Sequence, residues 1–167
     1  MKKICSVLCL LTSFFIFSGC PYDSEVPIDA PSLSINTALL GTWEARNNQD
    51  ESFKISKHDE FSFNIVKTSK KSNEKKEAEK YRAHLSTINN VTFLNLSDDN
   101  PDVLTPKYYL YKLVITNPGI VTLSEITENI DERFKTSDEL KKFIAANMKN
   151  SYFYSKDEAS YIRTDKK

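Results

Sequence analysis

Glycine is scarce in this chain of 167 residues, occurring only as Gly19, Gly41 and Gly119. A phosphate-cradling loop or a nucleophile elbow needs several glycines close together, and these three cannot supply one. Histidine is scarcer still: His58 and His84 stand alone, each on what reads as the outer face of a different strand. Cysteine occurs only at positions 5, 9 and 20, so no cluster has metal-ligand spacing, and neither a metal nor a cofactor is expected. Serines and carboxylates are plentiful, but none has a spacing that marks a catalytic pair, so the chain does not read as an enzyme. An excess of either charge is missing too, with 23 Lys and Arg against 23 Asp and Glu. The longest apolar run, Ile4 to Phe17, has 14 residues, whereas a membrane-spanning helix needs about 20.

That short run is nonetheless informative. Lys2 and Lys3 precede it, and Phe17-Ser18-Gly19-Cys20 closes it. A positive end, an apolar stretch and small residues at its close form an export signal. The closing tetrapeptide resembles the lipobox of bacterial lipoproteins, although Phe17 stands where that family usually has leucine. The resemblance implies cleavage between Gly19 and Cys20, acylation of Cys20 as the new N-terminus, and a lipid anchor in the bacterial cell envelope. Pro21 is not the aspartate that retains many such proteins in the inner membrane, which points to the outer membrane. Cysteine usage agrees: Cys5 and Cys9 leave with the signal, and acylation removes the unpaired thiol that an oxidising compartment would make a liability. Removing Lys2 and Lys3 leaves 21 cationic side chains against 23 acidic ones, a formal charge of −2. Nucleic acid is therefore not an expected partner.

Three domains of behaviour follow along the chain. Residues 1–19 are the signal. Residues 20–37, with Pro21, Pro27 and Pro31, read as a flexible tether, since proline fixes φ and removes a hydrogen-bond donor. Such a tether would let the folded part stand clear of the lipid headgroups. Residues 38–167 are one domain with period-2 patterning: Phe53 and Ile55; Phe61, Phe63 and Ile65; Tyr81, Ala83 and Leu85; Tyr109, Tyr111, Leu113 and Ile115. Val91 and Phe93 continue the pattern, but Leu94 and Leu96 shift its phase, as at a bulge or in a strand buried on both faces. Lys67 to Lys80 is rich in lysine interleaved with Glu74, Glu77 and Glu79, as in a solvated hairpin tip. Asn117-Pro118-Gly119 suits a tight turn with positive φ at the glycine, and Ile120 to Thr127 returns as a strand. Leu140, Phe143, Ile144, Asn147 and Met148 then fall on one face of a helix, with Thr136 and Glu139 as a capping box. Tyr152 to Tyr154 and Ala159 to Thr164 read as extended. The expected fold class is mainly β: an antiparallel meander closing into a small barrel of about eight strands, with one late α-helix before the last strand.

Leu39-Leu40-Gly41-Thr42-Trp43-Glu44 opens the first strand of that domain, and Trp43 is the only tryptophan. Gly41-Thr42-Trp43 resembles the Gly-x-Trp signature of lipocalins and related calycin barrels. The resemblance implies that Trp43 plugs one end of the barrel and that a basic side chain from a late segment covers its ring. Arg163 on the last strand is the first candidate, Arg133 the second. Tyr81, Tyr109 and Tyr111 share the inward phase and are the candidates for lining a ligand cavity. Two functions remain open on this reading: binding of a small apolar ligand, or protein interaction by a barrel with a filled core, as an inhibitor or assembly factor of the envelope.

Overall fold

The structure, a computed structural model, describes residues 22–47, 50–69, 77–100, 102–127, 130–156 and 158–165. The expected signal with Gly19, the expected acylation site Cys20, and most of the lysine-rich hairpin tip lie outside the described residues. Among the described residues nine strands occur: β1 (Asp23–Ser24), β2 (Gly41–Ala45), β3 (Glu51–Lys57), β4 (Ser62–Ser69), β5 (Glu77–Ile88), β6 (Val91–Asp98), β7 (Tyr108–Asn117), β8 (Ile120–Glu125) and β9 (Ala159–Arg163). The helix α1 spans Ser137–Asn147, before the last strand.

Strands β2 to β8 pair antiparallel in chain order, and β9 pairs with both β8 and β2. The result is a closed barrel of eight strands, with β1 added alongside β7. Closure removes the free edges that a meander would otherwise expose. Short turns hold the register. Between β5 and β6, Asn89 and Asn90 take φ of 48° and 66°, a two-residue hairpin whose twist matches its strands. Between β7 and β8, Asn117 Oδ1 accepts the Gly119 N–H at 2.9 Å. Gly119 does not adopt the positive φ expected of it, because this side-chain bond closes the turn instead.

Two apolar clusters divide the molecule. Leu39, Trp43, Phe63, Ile65, Ala83, Leu85, Leu94, Leu113 and Val121 fill the barrel. Tyr22, Ile28, Ile88, Phe93, Leu110, Ile126, Ile130, Leu140, Ile144, Met148 and Phe153 form a second core outside it. The phase shift in β6 is explained by this pair of cores: Phe93 faces the outer one and Leu94 the inner. The pairing of β5 with β6 runs unbroken from Tyr81–Asp98 to Ile88–Val91, so β6 is buried on both faces and not bulged. Helix α1 supplies Leu140 and Ile144 to the outer core. Its start is set by Thr136, whose Oγ1 accepts the Glu139 N–H at 3.3 Å, with Asp138 and Glu139 in the first turn. Of Tyr152 to Tyr154 only Tyr154 is extended, in a β-bridge with Ile126; Ser151–Phe153 is a single 3-10 turn that drives Phe153 into the outer core.

The expected flexible tether over residues 20–37 is corrected by the second core. Tyr22, Ser24 and Ile28 are buried, and β1 is hydrogen-bonded into the sheet beside Tyr108 and Tyr109. The Ile28 N–H donates to Asn95 Oδ1 at 2.8 Å, Ser137 Oγ donates to the Pro27 carbonyl at 2.7 Å, and Lys141 grips the Asp29 carboxylate at 2.7 Å. Complete burial of an isoleucine contributes about 1.5–3 kcal/mol, enough to hold a segment whose prolines already limit its freedom. The segment runs along the barrel as a strap, and the 3-10 turn Thr37–Leu39 at its far end tucks Leu39 into the barrel bottom.

Candidate functional site

One end of the barrel is sealed around Trp43. Its Nε1–H donates to the Leu39 carbonyl at 2.9 Å, which ties the ring to the 3-10 turn. Arg163 lies opposite Trp43 in the β2–β9 register, and its Cζ stands 4.7 Å from the indole centroid, a cation–π contact. The same guanidinium donates to the Ala38 carbonyl. Gly41 makes the closure possible twice over. It sits at φ of +132°, and a Cβ there would lie 2.4 Å from the Asp165 carboxylate, whose Oδ1 accepts the Thr42 N–H at 2.9 Å. Arg133, the second candidate for Trp43, is elsewhere: its guanidinium covers the Tyr22 ring at 5.6 Å.

Above Trp43 the interior keeps a cavity of about 110 Å³. Phe53, Ile55, Leu96, Leu123 and two tyrosines, Tyr111 and Tyr161, are among its lining residues. Of the three tyrosines expected there, only Tyr111 lines it. Tyr81 packs on the same cluster, but its hydroxyl donates outward to Glu79 Oε2 at 2.5 Å. Tyr109, one step nearer the barrel's end, pairs with Asp23 and Leu96 and is not part of the lining. Tyr161 was missed by the sequence reading, although alternation from Arg163 places it on the inward face. Burial raises the Tyr161 hydroxyl to about 12, helped by the Glu51 and Glu125 carboxylates, and the same combination of burial and Glu125 raises Tyr111. Both are therefore neutral hydroxyls in an apolar room, able to orient a polar atom but not to act as bases.

The end opposite Trp43 is ringed by tyrosines and charges. Lys67 stands between Glu51, at 3.9 Å, and Glu79, at 3.8 Å. His84 is on the outer face of β5, as expected, but the strap covers it. Its Nε2–H donates to the Asp29 carbonyl at 2.7 Å, and desolvation holds its pKa below the ordinary histidine value. His58 is an exposed surface side chain near Asp59. Among the described residues, no three His, Cys, Asp or Glu side chains come together as a metal site, and no helix is long and apolar enough to cross a membrane. Comparison with protein-family models, with curated proteins and with solved structures finds no match.

Proposed function

We propose that this chain is an exported bacterial lipoprotein, held in the envelope by acyl groups on Cys20, whose barrel takes up a compact apolar molecule. The observation that carries the binding part is the cavity of about 110 Å³ between Trp43 and the Tyr111–Tyr161 pair. Its size sets the ligand class. Dry apolar cavities of about 150 Å³ admit benzene, whereas drug-sized ligands occupy about 300–1,000 Å³. At about 110 Å³ this cavity is smaller still, so the proposed ligand is at most a single ring or a short branched alkyl group, with a hydroxyl or carbonyl directed to the tyrosines. The anchor is supported by the signal ending at Cys20 and by a mature chain with no other cysteine.

Xenon and benzene titrations followed by methyl NMR test the cavity directly. Saturable shifts confined to Leu94, Leu96, Leu113, Val121 and Leu123 are expected. Shifts spread over the outer core, or none, would defeat the binding reading. Cys20→Ala with metabolic palmitate labelling tests the anchor, and equal labelling of mutant and wild type would end it.

The modest cavity also favours a second reading, in which the barrel is a rigid scaffold for protein contact in the envelope. Recovery of the protein from its host without ligand, together with failure of the xenon titration, would select that reading.

A further inference from the structure

The strap crosses the Trp43 end of the barrel, and a second cavity lies beneath it. Trp43 and Arg163 fill the side of that end formed by β2, β3 and β9. Across from them, the inward phase of β5, β6 and β7 runs on past the core to Thr87, Thr92 and Ile115. The Ile35 N–H donates to the Glu60 carbonyl, on the turn between β3 and β4, at 3.0 Å. That bond holds the neighbouring strap residues Leu33, Ser34 and Asn36 over the three strands. The space enclosed is about 390 Å³, against about 110 Å³ for the inner cavity, and Leu113 is a wall of both.

The two cavities differ in chemistry. The inner one is apolar apart from its tyrosines, whereas hydroxyl and amide groups interrupt the apolar walls of the second, and no ionisable side chain lines it. Thr87 and Thr92 are cross-strand partners beside the β5–β6 turn. Their hydroxyls and that of Ser34 make no hydrogen bond among the described residues. Asn36 Oδ1 accepts the Ala38 N–H at 3.0 Å, which leaves the amide Nδ2–H groups to donate. Ile115 supplies an apolar wall on the sheet side, and Leu33, 41 % exposed, supplies one on the strap.

This lining selects against two kinds of occupant. An ion would enter with no countercharge from the walls, and an entirely apolar molecule would strip water from the hydroxyls without replacing its hydrogen bonds. A molecule with hydroxyls along its edge and C–H groups on its face meets both demands. We propose that the strap-covered cavity is a second binding site, for a neutral carbohydrate. One sugar ring places its hydroxyls on Ser34, Asn36, Thr87 and Thr92 and its C–H face on Leu33 and Ile115. The volume agrees, since small-molecule sites occupy about 300–1,000 Å³. The site is made by the docking of the strap on the barrel end, and it does not depend on occupancy of the inner cavity.

Methyl β-glucoside is the probe, and glucuronate is the comparison, a similar ring carrying a carboxylate. Titration of the purified protein with the glucoside should give saturable methyl NMR shifts at Leu33 and Ile115, with Leu94 and Leu123, which line only the inner cavity, unmoved. Glucuronate should bind at least about ten-fold more weakly, because its charge finds no partner in the lining. Thr87→Val and Thr92→Val keep the β-branched shape and remove one hydroxyl each, and each should weaken glucoside binding by about 2–10-fold. Unchanged amide signals in β2 and β9 verify that the barrel is intact, and Ser34→Ala, outside the sheet, gives the same test should either valine disturb the hairpin. The absence of saturable shifts at Leu33 and Ile115 overturns the site. Equal affinity for glucuronate, or affinity for the glucoside unchanged by every one of these substitutions, overturns the assignment to a neutral sugar.

Discussion

Trp43 and Arg163 are cross-strand partners at the seam where β2 meets β9, and the guanidinium lies over the indole at 4.7 Å. One contact therefore closes the barrel twice, joining its first and last barrel strands and capping its end. Arg163→Ala removes the cation–π contact and the bond to the Ala38 carbonyl, and an expected loss of about 1–3 kcal/mol follows. Urea unfolding followed by Trp43 emission, the only tryptophan signal, measures it. Arg163→Lys should recover part of the loss, because the charge remains while the planar fork does not.

Gly41→Ala places a side chain at φ of +132° and against Asp165. A destabilisation of about 1–3 kcal/mol is expected from the backbone alone. Adding Asp165→Ala separates the causes: relief of the clash in the double variant would leave the backbone part, whereas full recovery would show that φ strain is unimportant. Thermal unfolding of the two variants gives the comparison.

Stability should fall as the pH drops through about 6.5, the ordinary histidine value. His84 is buried neutral with its pKa lowered by desolvation, so between the folded and unfolded values the unfolded chain binds the extra proton. The slope ends once the pH is below the folded pKa as well. His84→Gln, which can still donate to the Asp29 carbonyl, should flatten this part of the profile between pH 7.5 and 5.5. A profile as steep as that of the wild type would assign the effect to other groups.

Asn95 is fully buried and serves the strap through its Oδ1, while its Nδ2–H donates to Ser86 Oγ at 2.9 Å. Asn95→Ala leaves the Ile28 N–H without its acceptor, a cost of about 1–3 kcal/mol. Hydrogen exchange should accelerate at residues 24–30 far more than in β2 or β9. Uniform acceleration across the barrel would mean that strap and barrel unfold as one unit.

Val121 lines the cavity, and Val121→Ile sends one more methylene towards it. Added stability of up to about 0.8 kcal/mol is expected, with weaker xenon binding in the same variant. Destabilisation would show that the walls around Val121 cannot accept the group.

Legibility from the sequence followed the range of the interactions. Strands alternating at period 2, the helix started by Thr136 and the Gly41-Thr42-Trp43 opening are each written within a few residues, where patterning and side-chain capping act. Placement of Tyr109 failed for a different reason: an inward phase says which face a residue shares, not how far along the barrel the cavity extends. Tyr161 was overlooked because a short final strand offers few alternating positions to read.

The mainly β domain and its late helix were determined by the sequence itself, because local periodicity, spacing and composition encode them. The docking of the strap was decided only by the tertiary structure. Ile28 meets Asn95 across 67 positions and Asp29 meets His84 across 55, contacts that exist only once the barrel has closed and α1 has covered its outer face. Three prolines describe a chain reluctant to form regular structure, but whether it then floats or packs depends on the apolar surface waiting for Tyr22 and Ile28, and that surface is made by the fold.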